Sequence, residues 1–203
     1  MLNVFARLRQ MRAAAAARAR VEPAPSGRRS REATGRPHRD DVVGTWLLPL
    51  PAIDQQIIAR SGAALSEYGA DFTYSHYAGV KRLPVLGGAL VGIGVGVAAA
   101  QVGPLRRLIS SRLPQGDGPD EATRAAASFT VDFVAEHAGG TTHTQVSGND
   151  PYELSGIALA ETALSLAFDD NPSVVGQVTT AQAVGDQLIA RLEPYGLRMR
   201  VVG

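Results

Sequence analysis

LPVLGGALVGIGVGVAAAQVGPL, residues 83–105, contains six glycines and no charged side chain. Lys81 and Arg82 precede it, and Arg106 and Arg107 follow it. A run of this length reaches what a membrane span requires, about 20 apolar residues. Glycine weakens that reading, because each one inside a helix costs about 1 kcal/mol relative to alanine. Gly88, Gly92 and Gly96 recur every four residues and so line one bare face of a helix, over which another backbone can approach closely. The opposite side carries Leu86, Leu90 and Val97. The expectation is a helix or broken helix within 83–103 that packs through its glycine face and touches a membrane peripherally through its bulky face.

Gly94, Gly96 and Ala99 formally match G-x-G-x-x-G/A. A dinucleotide turn needs a preceding strand, a full helix after it and an acid about 20 residues on. Here Gly103-Pro104 interrupts the helix, Pro114 stands where the acid belongs, and the nearest acid is Asp117. The spacing therefore reads as close packing and not as a phosphate cradle.

The 203 residues allow one domain or a domain with an appendage, and 45% hydrophobic content is enough to build a core. The absence of cysteine excludes disulfides, thiolate metal sites and a cysteine nucleophile. The net charge of +1 divides unevenly: residues 1–40 carry +7 and residues 41–203 carry −6. No global basic field exists, so nucleic acid is excluded as a partner of the main domain. Nineteen of the twenty basic residues are arginine, which genomic composition explains as readily as function.

Residues 1–20, rich in Ala and Arg, place Leu2, Phe5, Leu8 and Met11 on one side and read as a helix. It suits the charged outer helix of a larger fold, with a transit peptide or a basic surface-binding helix as alternatives. Residues 21–41, rich in Pro, Gly and Arg, read as a loop or extended arm. The main domain is expected over residues 42–203. A short strand over 42–48 holds Trp46, and a helix follows from Asp54 as cap to about Glu67, with Ile53 stapled onto Ile58. Residues 72–80 alternate as a strand with Phe72, Tyr74 and His76 on one face. Tyr74 and His76 are thus candidates for a proton donor and acceptor reaching one site.

A short basic helix is expected over 104–112 and a loop over 114–121. Residues 127–137 and 142–147 form a hairpin about Ala138-Gly139-Gly140. His137 and His143 flank its turn, but two histidines without a third ligand make no metal site. A mostly apolar helix covers 152–168, with Ser155, Ala158, Glu161, Thr162 and Ser165 on one stripe facing solvent or ligand. A last amphipathic helix carries Ala181, Val184, Gly185, Leu188 and Leu192 inward and Gln182, Asp186 and Arg191 outward. A final strand runs over 197–202. The fold class is α+β: one mixed or antiparallel sheet of residues 72–80, 129–137, 142–147 and 197–202, with helices on one side.

Taken in order, the strings WLLPLPAIDQQIIARSGAAL, FTYSHYA, LPQGDGPDEATRAAASFTVDF, NDPYELSGIALAETALSLA and VVGQVTTAQAVGDQLIARLEPYGLRMRV resemble the C-terminal half of saccharopine dehydrogenase-like oxidoreductases. The branch they are most similar to is the bacterial trans-acting enoyl reductases of lipid polyketide synthesis. Those proteins usually have Pro where this chain has Thr180, and Thr179 still suits a helix cap. Relatives open on a Rossmann domain with a GATGFTG-like turn, and nothing in this chain corresponds to it. The resemblance therefore implies a substrate-side and dimerisation half of a two-domain reductase, with NADP or NAD expected in full-length relatives and no cofactor in this chain alone. It further implies a partner, either a separately supplied Rossmann half or a second copy; the expected location is cytoplasmic, with the peripheral membrane contact that the uncharged run suggests. Trp46, Tyr74 and His76 are the candidates for the substrate wall. The alternative function is a non-enzymatic membrane- or lipid-associated module, resting on the uncharged run and the basic first helix.

Overall fold

A computed structural model describes residues 27–50, 52–104 and 118–203, together with positions 13, 14, 16 and 17. The last four are exposed helical alanines. The rest of the expected first helix, the loop over 21–26, the basic helix beyond Pro104 and the loop over 114–117 lie outside the described residues.

The fold is α+β, but among the described residues its strands form three small sheets, not one. β1 (Arg29–Glu32) pairs in parallel with β4 (Asp71–Tyr74). β2 (His38–Arg39), β3 (Trp46–Pro49) and β5 (Tyr77–Val80) form an antiparallel sheet in the order β2-β3-β5. The third sheet is antiparallel, β6-β7-β8, from Ser128–His137, Gly140–Asn149 and Arg198–Val201. The helices are α1 (Asp54–Ala64), α2 (Leu83–Gln101), α3 (Glu121–Ala125), α4 (Pro151–Phe168), α5 (Thr180–Ala183) and α6 (Gly185–Leu192).

The expected strand over 72–80 divides because its main chain changes partners. The Tyr74 carbonyl accepts from Ala33 N at 2.9 Å, on the β1 side, whereas the His76 carbonyl accepts from Leu50 N at 3.0 Å, on the β3 side. The arm over 21–41 supplies β1 and β2. An Arg-Ser-Arg-Glu strand shows no apolar alternation, since it pairs through main chain and keeps charge on an edge. Arg28 fastens its start through guanidinium bonds to the carbonyls of Gly62, Leu65 and Gly69. α1 lies across β1 and β4 at close range: a methyl group on Gly62 would collide with the Phe72 ring and the Ser30 hydroxyl. The expected cap and staple of α1 do not form. Asp54 sits in the first turn without a capping bond, where its charge still suits the helix dipole, and Ile53 is 69% exposed. The chain leaves α1 through a 3-10 turn, Ser66–Tyr68, and Gly69 follows at φ +78°.

α2 is continuous through Gly94 and Gly96, so the glycine spacing makes no strand-to-helix turn. It rests against β3 and β5. The glycine face does not pack as expected, for a methyl on Gly87, Gly88, Gly92, Gly94 or Gly96 would meet nothing within 4 Å. Val91, Val95 and Val102 are exposed. Among the described residues, no helix is long and apolar enough to cross a membrane.

In the C-terminal part Asp150 caps α4, accepting from Tyr152 N at 3.1 Å and Glu153 N at 3.2 Å. Thr179 and Gln182 form a reciprocal capping box on α5. The last helix is broken after Ala183, because Gly185, the first residue of α6, takes φ +49°. Periodicity turns the stripe holding Glu161 towards solvent or ligand; in the structure Glu161 is 8% exposed and Ser165 fully buried. Arg191, expected outward, is the reason. Its Nη1 reaches Glu161 Oε2 at 2.8 Å, its Nε and Nη2 hold both Asp169 oxygens at 2.7 and 2.8 Å, and the Tyr195 hydroxyl donates to Glu161 Oε1 at 3.0 Å. Ser61 and Thr179 share a buried hydroxyl pair at 2.8 Å, and Arg60 Nη2 donates to the Gln177 carbonyl at 2.8 Å, which ties α1 to the start of α5.

The hydrogen bonds from Arg191, then that of Ser165, lower the Asp169 carboxyl from its ordinary 3.8 to about 2. A depressed folded pKa contributes stability that is complete above the unfolded value and is lost as pH falls through the folded one. Asp169→Asn should therefore melt several degrees below the parent chain above pH 5, and that difference should shrink through pH 4 and close near pH 2. Thermal melts followed by circular dichroism from pH 2 to 7 check this.

Candidate functional site

The change of sheet at Ser75 builds the site. Residues 74 and 76 stay two apart on one side of an extended chain, so their side chains emerge together. The Tyr74 hydroxyl lies 3.1 Å from His76 Nδ1, and the two rings meet edge to face with centroids 6.1 Å apart. Both are half-buried. Ser75 turns the other way and donates from Oγ to the Ala33 carbonyl at 3.1 Å, which holds the crossing in place.

Burial pushes the Tyr74 phenol above its ordinary range, and the negative charge of Asp54 raises it further. The phenol thus remains protonated at neutral pH. Two tautomers of His76 give the pair two uses. With Nδ1 bare, the ring accepts the Tyr74 proton. With Nδ1 protonated, the ring donates to the phenol oxygen and leaves the Tyr74 O–H free to point at a bound molecule.

The structure brings Tyr74 and His76 together and leaves Trp46 apart. Trp46 is half-buried and stands opposite Val80 on β5 and Arg39 on β2. Val80 is four residues from His76, about 13 Å along a strand at 3.3 Å per residue. Asp54 reads in the sequence only as a helix cap, so nothing there marks it as a member of the site. The fold alone shows that the first turn of α1 places its charge near Tyr74.

A second polar cluster lies on the third sheet. His143 Nε2 and Gln145 Nε2 each approach Asp132 Oδ1 at 2.9 Å, and Arg200 Nε donates to Gln145 Oε1 at 3.0 Å. Burial acts to raise the Asp132 carboxyl, but the bonds from Gln145 and His143 and the charges of His143 and Arg200 outweigh it and hold the group below its ordinary value. These bonds run across adjacent strands, as in a sheet-stabilising network. His137 bonds Thr142 and does not join it. Among the described residues no group of three or more His, Asp or Glu is placed to hold a metal ion.

The chain is similar to trans-acting enoyl reductases of mycobacteria. It is 31% identical over 185 residues to those of Mycobacterium tuberculosis (strain ATCC 25618 / H37Rv) and Mycobacterium bovis (strain BCG / Pasteur 1173P2), a match covering 81% of this chain and 44% of each relative. It is 27% identical over 178 residues to that of Mycobacterium ulcerans (strain Agy99), covering 80% of this chain and 43% of the relative. The chain thus spans less than half the length of the relatives it matches. No family profile and no solved structure matches it.

The Tyr74 environment makes a direct prediction. In alkaline titration, the wild-type minus Tyr74→Phe difference should report a phenol titrating above an ordinary tyrosine. Asp54→Asn should move that titration down towards the ordinary value of 10.0, by removing the nearby negative charge. An unmoved titration in Asp54→Asn would show that the carboxylate does not act on Tyr74.

Proposed function

We propose that this chain forms the substrate side of an enoyl reductase of saccharopine dehydrogenase-like design, acting on the unsaturated acyl groups of lipid synthesis, with Tyr74 and His76 handling the proton. The observation that carries the reading is the 3.1 Å Tyr74–His76 pair, in a chain similar over 81% of its length to proteins named trans-acting enoyl reductases. Saturating an enoyl double bond adds a hydride to one carbon and a proton to the other. Tyr74 suits the proton transfer, because its raised pKa keeps the proton in place until a carbanionic centre develops beside it. His76 with Nδ1 protonated then returns that proton to the phenolate oxygen while its Nε2 takes one from solvent, so the ring stays neutral.

The hydride is expected from NAD(P)H, as the resemblance implies. The described residues do not fit that group, because the G-x-G-x-x-A letters lie inside the continuous helix α2 and present no strand-to-helix turn to a pyrophosphate. No hydride step is assigned to this chain's residues, and the proposal places cofactor binding with the part of the relatives that the match does not cover.

Titration with a trans-2-enoyl thioester, followed by the imidazole resonances of the histidines, tests the reading. Binding should shift His76 and leave His137 unmoved. Tyr74→Phe should weaken binding about 5- to 10-fold, the equivalent of one hydrogen bond of about 1–1.5 kcal/mol. Calorimetry of the same chain with NADPH should show no micromolar affinity. Thioester binding that leaves His76 unshifted would overturn the site, and micromolar NADPH binding would overturn the division of labour.

A further inference from the structure

α2 rests on β3 and β5 and is open on its outer side. Val91 is 67% exposed and Val95 64%, and Pro84, Gly88 and Ala98 are exposed as well. At 100° per residue, Pro84, Gly88, Val95 and Ala98 all fall within about 60° of Val91. They form one uncharged stripe along the helix, and Val102, which caps it, is exposed too. A methyl group on Gly88 or Gly92 would meet nothing within 4 Å, so no described part of the chain lies over this side. A helix whose outer side faces water ordinarily carries polar residues there.

The charges around this helix are of one sign. Lys81 and Arg82 stand at its start and are exposed. Between Asp71 and Asp117 the sequence holds five basic residues, Lys81, Arg82, Arg106, Arg107 and Arg112, and no Asp or Glu. The domain around them is acidic, since residues 41–203 together carry −6. Basic residues are thus gathered at the two flanks of the uncharged run and acids are kept out of it.

We infer that this side of α2 lies on the surface of an anionic lipid bilayer, with the Val91–Val95 stripe in the acyl boundary and Lys81 and Arg82 at the lipid phosphates. Apolar residues between basic flanks match the two layers of such a surface in order. The exposed stripe is built of small side chains and has no aromatic or arginine anchor of the kind that carries a protein interface. An acyl boundary needs no pocket for such an anchor. Among the described residues no helix is long and apolar enough to cross a membrane, so the contact runs along the surface. It belongs to α2 and its flanks and does not rest on the reductase reading.

Flotation of the full chain tests the inference, with vesicles of phosphatidylcholine alone and of phosphatidylcholine with one third phosphatidylglycerol. The chain should float with the anionic vesicles and stay behind with the neutral ones, and added salt should weaken the binding. Lys81→Gln with Arg82→Gln should weaken it about 30-fold, and Val91→Asp with Val95→Asp should abolish it with an unchanged circular dichroism spectrum. The chain has no cysteine, so a polarity-sensitive dye on Val95→Cys gives a second measurement that holds even if the aspartate variant fails to fold. Its emission should shift to the blue on anionic vesicles, whereas the same dye on Asp186→Cys, an exposed site on α6, should not respond. A wild-type chain that stays in the soluble fraction, equal flotation with both vesicles, or equal dye responses at the two sites would overturn the assignment. So would self-association without lipid that Val91→Asp abolishes, which would give the face to a second copy.

Discussion

The guanidinium of Arg191 holds two carboxylates at once, Asp169 at the end of α4 and the buried Glu161 in its middle. A carboxylate buried alone would be costly, and a single flexible cation would compensate it poorly. The planar fork of arginine supplies donors to Asp169 through Nε and Nη2 and still has Nη1 for Glu161, while the Tyr195 hydroxyl takes the remaining Glu161 oxygen. Much of the C-terminal architecture follows from this one group. α4 must turn its Glu161 side towards α6, so Leu159, Leu164 and Leu166 turn away. The 3-10 turn carrying Tyr195 must stay beside α4, and that fixes where Gly196 releases the chain into β8.

The N-terminal part is organised by a different constraint, the exchange of main-chain partners between Tyr74 and His76. An uninterrupted strand would have kept both residues in one ladder. Instead the chain is held on one side by Ala33 and on the other by Leu50, and the Tyr74–His76 pair sits at the junction. Main-chain bonds made on both sides of Ser75, with the Ser75 Oγ bond to the Ala33 carbonyl, hold the pair at this junction. The two parts communicate through the Ser61–Thr179 and Arg60–Gln177 bonds, and the former also engages the residue that caps α5.

Much of this is legible in the sequence, and the failures share a cause. The hairpin of β6 and β7, the helices α1, α2 and α4, the Thr179 cap and the final strand follow from local alternation, capping chemistry and glycine placement, which are properties of neighbouring residues. The pairing of Tyr74 with His76 is legible for the same reason, since two residues apart on extended chain is a local relation. What is not legible depends on distant partners. β1 shows no apolar pattern because its register with β4 is carried by main chain. Glu161 reads as solvated because its neutralising arginine is thirty residues away. The single expected sheet becomes three because alternation tells which face a residue occupies but not which strand lies beside it. The glycine stripe of α2 reads as a packing face by the same local logic, yet nothing in the described residues packs there.

The claim on which the C-terminal account stands is that Arg191 is fixed between Asp169 and Glu161. Nitrogen-15 NMR of the arginine side chains reads this directly. The account predicts one Nε–H resonance, assigned to Arg191 by its loss in Arg191→Lys, that is displaced from the exposed arginines and exchanges slowly with water, and that becomes fast-exchanging in Asp169→Asn. An Arg191 Nε–H that exchanges as fast as the exposed arginines in the parent chain would contradict it.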